Sequence, residues 1–236
     1  MKCGGGSDLM KDKKKTLSII QHLSDSLEHL PFSIKVRAGL HEEDKASQFT
    51  FLLEATQYCS KISIHGRTLK QLYSGEADRE FIQQVKKSVL ETEGRTCEII
   101  GNGGITSYAQ AKEYQKRYEL DGIMIGQATI GNPWIFTPHE PSAEEKLQTI
   151  LRHLDLSVAC DQLFDGKVVV DVDQLEDQVR KNLQKPDFFS HALVEFRKFL
   201  FQYVKGMAES REWKTGVLMI GEYGQLRRAI IEFLHR

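Results

Sequence analysis

The sequence predicts an α/β protein in which four strand-and-helix units form a parallel sheet and a helical region follows. Two observations carry this prediction. Short apolar strands recur along the first half of the chain, and each is followed by a segment with helical spacing of its apolar residues. Strands that alternate with helices in this way are typical of βαβ units on a parallel sheet.

The first half of the chain divides into regular elements. An amphipathic helix is predicted at residues 16–30, before Pro31, where Leu and Ile residues recur at helical spacing. The predicted strands are residues 32–39, 61–65, 97–100 and 122–125, and the helices between them are residues 44–58, 78–93 and 107–118. The chain therefore contains about four βα units.

A change in pattern near residue 143 marks a second region. Strand patterns disappear, and apolar residues recur with helical spacing around residues 147–154 and 193–204. The segment KVVVDV, residues 167–172, is the exception, and the sequence leaves open a hairpin arm or a buried linker. We place the boundary after residue 139, which gives a partial barrel over residues 1–139 and an all-helical domain over residues 140–236.

Composition narrows the class of protein. The 32 basic and 33 acidic residues nearly cancel, so the net charge neither supports nor excludes binding to RNA. The four cysteines form no CxxC pair, which argues against a zinc site or a disulfide framework, and no metal site is predicted. No apolar run approaches the roughly 18 residues of a membrane span. We expect a cytoplasmic protein without a membrane anchor.

Polar and glycine-rich residues cluster where each predicted strand ends. The clusters are Lys35 with Arg37, His65-Gly66-Arg67, Asn102-Gly103-Gly104 and Gly126-Gln127. In (β/α)8 barrels the chemistry lies at that edge of the sheet, and a phosphate commonly binds at the loops after strands seven and eight. The sequence therefore predicts an anion site, with the four strands as the last four of a barrel.

Each of these features has a plainer interpretation when it stands alone. Lys35 and Arg37 would be surface cations, and the glycine turns would be ordinary tight turns. Their recurrence at consecutive strand ends is what favours a site. Cys59, Cys97 and Cys160 are expected in the hydrophobic core.

Four linked motifs resemble those of the tRNA-dihydrouridine synthases. They are IKVRAG (residues 34–39), IHGRT (64–68), IGNGGI (100–105) and DGIMIGQATIGNPWIF (121–136). The resemblance covers about residues 4–136, and FRKFLFQYVKG (196–206) is similar to the arginine-and-aromatic segment of that family's helical domain. It implies the C-terminal half of a (β/α)8 TIM barrel, bound FMN, NADPH as reductant and tRNA as partner.

The resemblance also assigns residues to roles. Lys35 and His65 match positions that contact the isoalloxazine ring, while Asn102, Gly103, Gly126 and Gln127 match the phosphate-binding turns. Arg67 would lie on the substrate side, and Arg197 and Lys198 would contact tRNA. Gly104 and Gln127 depart from the family pattern, which has an acidic residue and an arginine there.

The family's catalytic cysteine lies in an Asn-x-Gly-Cys-Pro motif that does not occur in this sequence. No catalytic residue is therefore assigned, and we expect this chain alone to be inactive. The open sheet edge would be covered by a missing N-terminal half of the barrel or by a second copy in a homo-oligomer.

Two other functions stay open at this point. One is a tRNA- or RNA-binding paralogue that has lost flavin chemistry. The other is an FMN-dependent barrel oxidoreductase that acts on a small molecule, which the basic segment at residues 196–206 disfavours. Whether the chain acts as an enzyme is undecided on the sequence alone.

Overall fold

The computed structural model describes residues 5–27, 30–164 and 171–235, and these form two compact units, Met1–Ala128 and Thr129–Arg236. Cys3 and most of the KVVVDV segment lie outside the described residues. The domain boundary predicted after residue 139 stays a prediction. Among the described residues, no helix has the length and apolar character needed to cross a membrane.

The first unit is built on a four-stranded parallel sheet, as predicted. Its strands lie in the order β1-β2-β3-β4. The elements in chain order are α1 (Lys13–Ser26), β1 (Ser33–Arg37), α2 (Lys45–Ala55), β2 (Lys61–His65), α3 (Arg79–Leu90), β3 (Glu98–Asn102), α4 (Tyr108–Arg117) and β4 (Gly122–Met124). The helices occupy the connections between the strands, which is the βαβ arrangement that the sequence indicated.

The strand register aligns the ends of the strands. Arg37 pairs with His65, His65 with Asn102, and Asn102 with Met124. One row of residues therefore crosses all four strands near their carboxyl ends. Because strands in a parallel sheet run the same way, the loops that follow this row all leave from one edge.

Packing on one side of the sheet holds the unit together. Ile62, Ile64 and Ile99 are fully buried and share a core with Phe81 and Val85 of α3. Burial of side chains of this size contributes about 1.5–3 kcal/mol each. The alternation along each strand then points the intervening residues to the opposite side of the sheet, where the polar groups lie.

Helix ends differ from the predicted ends because the capping residues lie outside the helices. Asp78 is the N-cap of α3, where its carboxylate accepts a hydrogen bond from the backbone N–H of Phe81 at 2.9 Å. Ser107 caps α4 through the N–H of Gln110. A side chain that satisfies an unpaired helix N–H in this way fixes where the helix begins.

The described part of the second unit contains helices, namely α5 (Ala143–Leu163), α6 (Val172–Gln184), α7 (His191–Tyr203), α8 (Ser210–Val217) and α9 (Tyr223–Leu234). Its core includes Leu154, Phe196 and Tyr223. Asp171 caps α6, so the two described residues of KVVVDV belong to the start of a helix, and the prediction of a hairpin arm or a buried linker falls mainly on residues outside the described part of the chain.

One prediction about the cysteines was wrong. Cys59 and Cys97 are buried, as expected, but Cys160 is exposed. Val158 and Ala159 occupy the buried side of α5 at that turn. The next residue is rotated by about 100° around the helix axis, which brings Cys160 to the outer face.

Candidate functional site

A cleft of about 380 Å³ lies at the carboxyl ends of the strands in the first unit. It is lined by every cofactor-binding residue predicted from the sequence and by Arg67; these residues are Lys35, His65, Arg67, Asn102, Gly103, Gly126 and Gln127. Residues from four separate strand ends thus meet in one place. The register of the sheet brings them together, as expected for a parallel α/β fold.

Strand β1 supplies two cations to the cleft. Lys35 and Arg37 are two residues apart, so both point to the same side of the sheet. The Nη1 atom of Arg37 donates to the carbonyl oxygen of Thr68 at 3.0 Å, which ties β1 to the loop after β2. Burial, followed by the charge of Arg37, lowers the pKa of Lys35.

His65 lies at the centre of the row and is only 7% exposed. Burial lowers its pKa from 6.5 to about 4, and the charges of Arg37, Lys35 and Arg67 add to that effect. The imidazole is therefore neutral at pH 7, so it carries one N–H donor and one acceptor nitrogen. At this pH, His65 can therefore donate a hydrogen bond without adding a positive charge.

The turn after β3 lies directly against this histidine. Gly103 has a φ of +122°, and a Cβ atom at this residue would lie 2.7 Å from His65 Cδ2 and 2.8 Å from Ala77 Cβ. Only glycine fits there. The Asn102 side chain donates from Nδ2 to the carbonyl oxygen of Met124 at 2.7 Å, so it links β3 to the end of β4.

Gly126 and Gln127 form the lip on the β4 side. Among the described residues, no atom lies within 4 Å of the position that a Cβ of Gly126 would take. Backbone at such a turn can approach an anion closely because no side chain intervenes. Gln127 contributes an uncharged amide, so this side of the cleft is less positive than the β1 side.

Arg67 is fixed by the loop that follows β2. Its Nε and Nη2 atoms both donate to the carbonyl oxygen of Gly75, at 3.2 and 2.8 Å. The side chain is almost buried, with 9% of the residue exposed. Tyr73, from the same loop, also lines the cleft and is 62% exposed. Its role was not predicted, although it lies within the polar stretch that follows IHGRT.

The charged side chains that line the cleft are all cationic. None of the described residues that line it is acidic, and within the described part of the chain no carboxylate forms an ion pair with Lys35, Arg37 or Arg67. Cations in a half-buried, low-dielectric cleft attract anions strongly. The arrangement is suited to bind an anionic ligand.

Arg197 and Lys198, the predicted RNA contacts, belong to α7 in the second unit. Arg197 donates from Nη2 to the carbonyl oxygen of Ile220, and Lys198 pairs with Glu195 on the same helix. The side chain of Lys198 is 69% exposed. Of the two, Lys198 is the one that is accessible to a partner.

Comparison with known proteins identifies relatives. The family model described as dihydrouridine synthase matches residues 1–222. A probable tRNA-dihydrouridine synthase of Rickettsia bellii is 31% identical over 97% of this chain, and one of Rickettsia typhi is 26% identical over the same share. A tRNA-dihydrouridine(47) synthase [NAD(P)(+)] of Coprinopsis cinerea is 32% identical over 65% of the chain. The chain spans 63% of the length of each Rickettsia relative and 24% of the fungal one.

Proposed function

This chain belongs to the dihydrouridine synthase family, and we propose that its cleft is the flavin-binding part of a site that reduces uridine to dihydrouridine in tRNA. The observation that supports this proposal is the concentration of cations and glycine turns at the ends of four parallel strands, with no acidic residue among the described lining residues. An FMN phosphate and an electron-rich reduced ring both require such a field.

The residues of the cleft fit this cofactor. The turn at Gly126 leaves room for close approach of a phosphate. Lys35 lies on the β1 side, where its charge would favour the reduced, anionic form of an isoalloxazine ring. The neutral His65 would orient the ring by hydrogen bonding. It would add no positive charge of its own beside the anionic ring.

The bound flavin would supply a hydride to C6 of the uracil. The chain's own residues bind and orient the reactants; Arg67, held by Gly75, would face the substrate. The Asn-x-Gly-Cys-Pro motif, whose cysteine would deliver the proton to C5, does not occur in these 236 residues. We therefore propose that this chain by itself does not complete the reaction. We propose NADPH as the source of electrons; the name of the fungal relative includes NAD(P)(+).

The fold belongs to the proposal as well. We propose that the four-stranded sheet is the C-terminal half of a (β/α)8 barrel and that the helices of residues 140–236 form a tRNA-binding domain. Strands β1 and β4 are the outer strands of the sheet. A further segment that supplies the other four strands, or a second copy of the chain, would cover these edges.

Flavin retention tests the proposal most simply. The protein, purified as the gene encodes it, should keep visible flavin absorbance after desalting. Lys35→Ala should weaken FMN binding about tenfold or more, because it removes a charge-assisted contact. Lys61→Ala is the matched control, because Lys61 begins β2 at the opposite edge of the sheet and pairs with Glu98.

Three results are informative. Flavin uptake that depends on Lys35 and not on Lys61, together with dihydrouridine formed in tRNA only when a segment that carries the Asn-x-Gly-Cys-Pro motif is supplied, would confirm the proposal. A colourless protein that takes up no FMN would refute it. Binding of tRNA that is unaffected by Lys35→Ala and His65→Ala, without any flavin, would instead identify an RNA-binding paralogue.

A further inference from the structure

An exposed leucine lies at the tip of the loop that follows β2. Leu72 has a φ of +51°, a left-handed conformation that glycine or asparagine adopts more readily than leucine does. The residue is 58% exposed, so burial in the first unit does little to compensate for that strain. Neither the backbone nor the core of the protein accounts for a large apolar side chain at this position.

Hydrogen bonds within the loop fix the backbone on both sides of Leu72. The Gln71 side chain accepts from the backbone N–H of Thr68 and donates from Nε2 to the carbonyl oxygen of Glu76, both at 3.2 Å. The carbonyl oxygen of Gln71 accepts from the N–H of Ser74 at 2.9 Å. The loop therefore holds its tip in one conformation, and the Leu72 side chain is presented to solvent.

The tip lies at the rim of the cleft. Tyr73, the next residue, lines the cleft, whereas Leu72 is not among the described residues that line it. The backbone N–H of Lys70 donates to the carbonyl oxygen of Leu40 at 3.0 Å, which ties the loop to the segment after β1. Lys70 is exposed as well. A cation and an apolar side chain thus lie close together outside the cleft.

This pair of side chains suits RNA that surrounds a base in the cleft. Under the proposed function the uracil enters the cleft, so it leaves its stack and exposes the face of a neighbouring base. Proteins that distort nucleic acids insert apolar side chains, leucine among them, beside unstacked bases. Leu72 has this chemistry, and Lys70 can neutralise a phosphate of the same strand.

We propose that Leu72 is an apolar wedge that packs against the base next to the flipped uridine when tRNA binds. This inference rests on the proposed function and adds a positioning residue to it. The wedge acts on the RNA outside the cleft, where it lowers the cost of keeping the uracil unstacked. A fixed and exposed tip serves this role, because no ordering of the loop opposes binding.

Leu72→Ala tests the wedge, and Leu90→Ala is the matched control. Leu90 ends α3, is 65% exposed and is not among the described residues that line the cleft. With unmodified tRNA transcripts as the probe, we expect Leu72→Ala to weaken binding about fivefold or more, because apolar contact area is lost. Leu72→Met keeps an apolar side chain and should retain most of the affinity. Leu90→Ala should bind as the wild-type protein does.

A second set of measurements separates a wedge from a structural role. Binding of an unstructured oligouridine should not change in Leu72→Ala, because its bases need little unstacking, and FMN affinity should not change either. Leu72→Asn suits the left-handed backbone, so it should lose tRNA affinity as the Ala variant does without melting at a lower temperature. A merely structural leucine would instead lower the melting temperature and the FMN affinity together.

Three results would overturn the inference: equal tRNA affinities for the Leu72 and Leu90 variants, equal losses for tRNA and oligouridine, or a wild-type protein that binds no tRNA. If FMN binds and Leu72 does not matter, the wedge is wrong and the proposed function stands. If no FMN binds but tRNA affinity depends on Leu72 as described, the flavin chemistry fails and the RNA contact stands.

Discussion

Lys35 and Arg37 in the cleft of the first unit differ from Arg227 of the second unit in what neutralises their charge. In the second unit, buried Asp155 accepts hydrogen bonds from the Tyr223 hydroxyl at 2.6 Å and from Nε of Arg227 at 3.1 Å. In the cleft, Lys35 and Arg37 have no carboxylate partner among the described residues.

The difference separates scaffold from site. A buried charge that is paired within the protein becomes destabilising when its partner is removed, whereas a charge left without a partner is maintained at the expense of stability. In the second unit the Asp155 group joins α5 to α9. In the first unit the unpaired cations remain available for a ligand.

The largest effect on stability is expected when the buried Asp155 carboxylate is removed from its partners in the second unit. Asp155→Ala leaves the buried Tyr223 hydroxyl and the partly buried Arg227 without their acceptor, so we expect a loss of about 3 kcal/mol in the free energy of unfolding. Chemical denaturation measures it. Asp177→Ala is the control, because its pair with Arg180 is exposed on both sides. Equal losses in the two variants would contradict this role of Asp155.

The unpaired cations around His65 should affect how the stability of the protein depends on pH. The pKa of His65 is lowered from 6.5 to about 4 in the folded protein. The unfolded chain therefore binds more protons between these values, and His65 makes stability rise with pH through that window and fall as the pH drops below 6.5. The contribution amounts to about 3 kcal/mol at most.

His65→Gln isolates this contribution. The variant lacks the titrating group, so its stability should change less steeply with pH between about 4 and 6.5 than that of the wild-type protein. Urea denaturation at a series of pH values gives both profiles. Parallel profiles for the two proteins would show that the field at this position is weaker than the structure indicates.

Removal of the charge of Arg37 should weaken ligand binding more than it weakens the fold, although its bond to the Thr68 carbonyl oxygen is lost as well. We expect Arg37→Gln to reduce FMN affinity about tenfold, and to reduce its dependence on salt. Arg37→Lys keeps the charge and should retain most of the affinity. Titration of flavin fluorescence measures both. Similar affinities for the Gln variant and the wild-type protein would remove Arg37 from the site.

The smallest effect is expected at an exposed pair. Lys198 and Glu195 are both more than half exposed, so Lys198→Ala should change stability by only about 0.5 kcal/mol or less. If Lys198 contacts tRNA, the same variant should bind tRNA more weakly whatever the tRNA sequence. The dependence of its affinity on salt concentration should also be smaller. Unchanged tRNA affinity would exclude that contact.

The sequence predicted the parallel sheet well because its signal is local. Lys61–His65 was predicted to the residue, since an apolar strand there runs into a glycine. β3 extends to Asn102, two residues further than predicted, because Asn102 pairs with both His65 and Met124. That extension depends on neighbouring strands, which a single strand's pattern does not contain.

In the site, too, residues with a local sequence signal could be predicted and contacts between distant segments could not. Lys35, His65 and Gly103 could be found because each lies in a strand, ends one or follows one, in a motif that can be recognised locally. The bond from Arg37 to the Thr68 carbonyl oxygen could not, because it depends on how the loop after β2 folds back beside β1. Likewise, the neutral state of His65 arises from burial and from cations on other segments.

The most direct test of the account is the pKa of His65, measured by NMR in phosphate-free buffer and again with saturating inorganic phosphate. The account predicts a pKa of about 4 in the free protein, with a rise when an anion occupies the cleft and offsets the charges of Arg37, Lys35 and Arg67. A pKa near 6.5 in the free protein, or one that phosphate leaves unchanged, would contradict it.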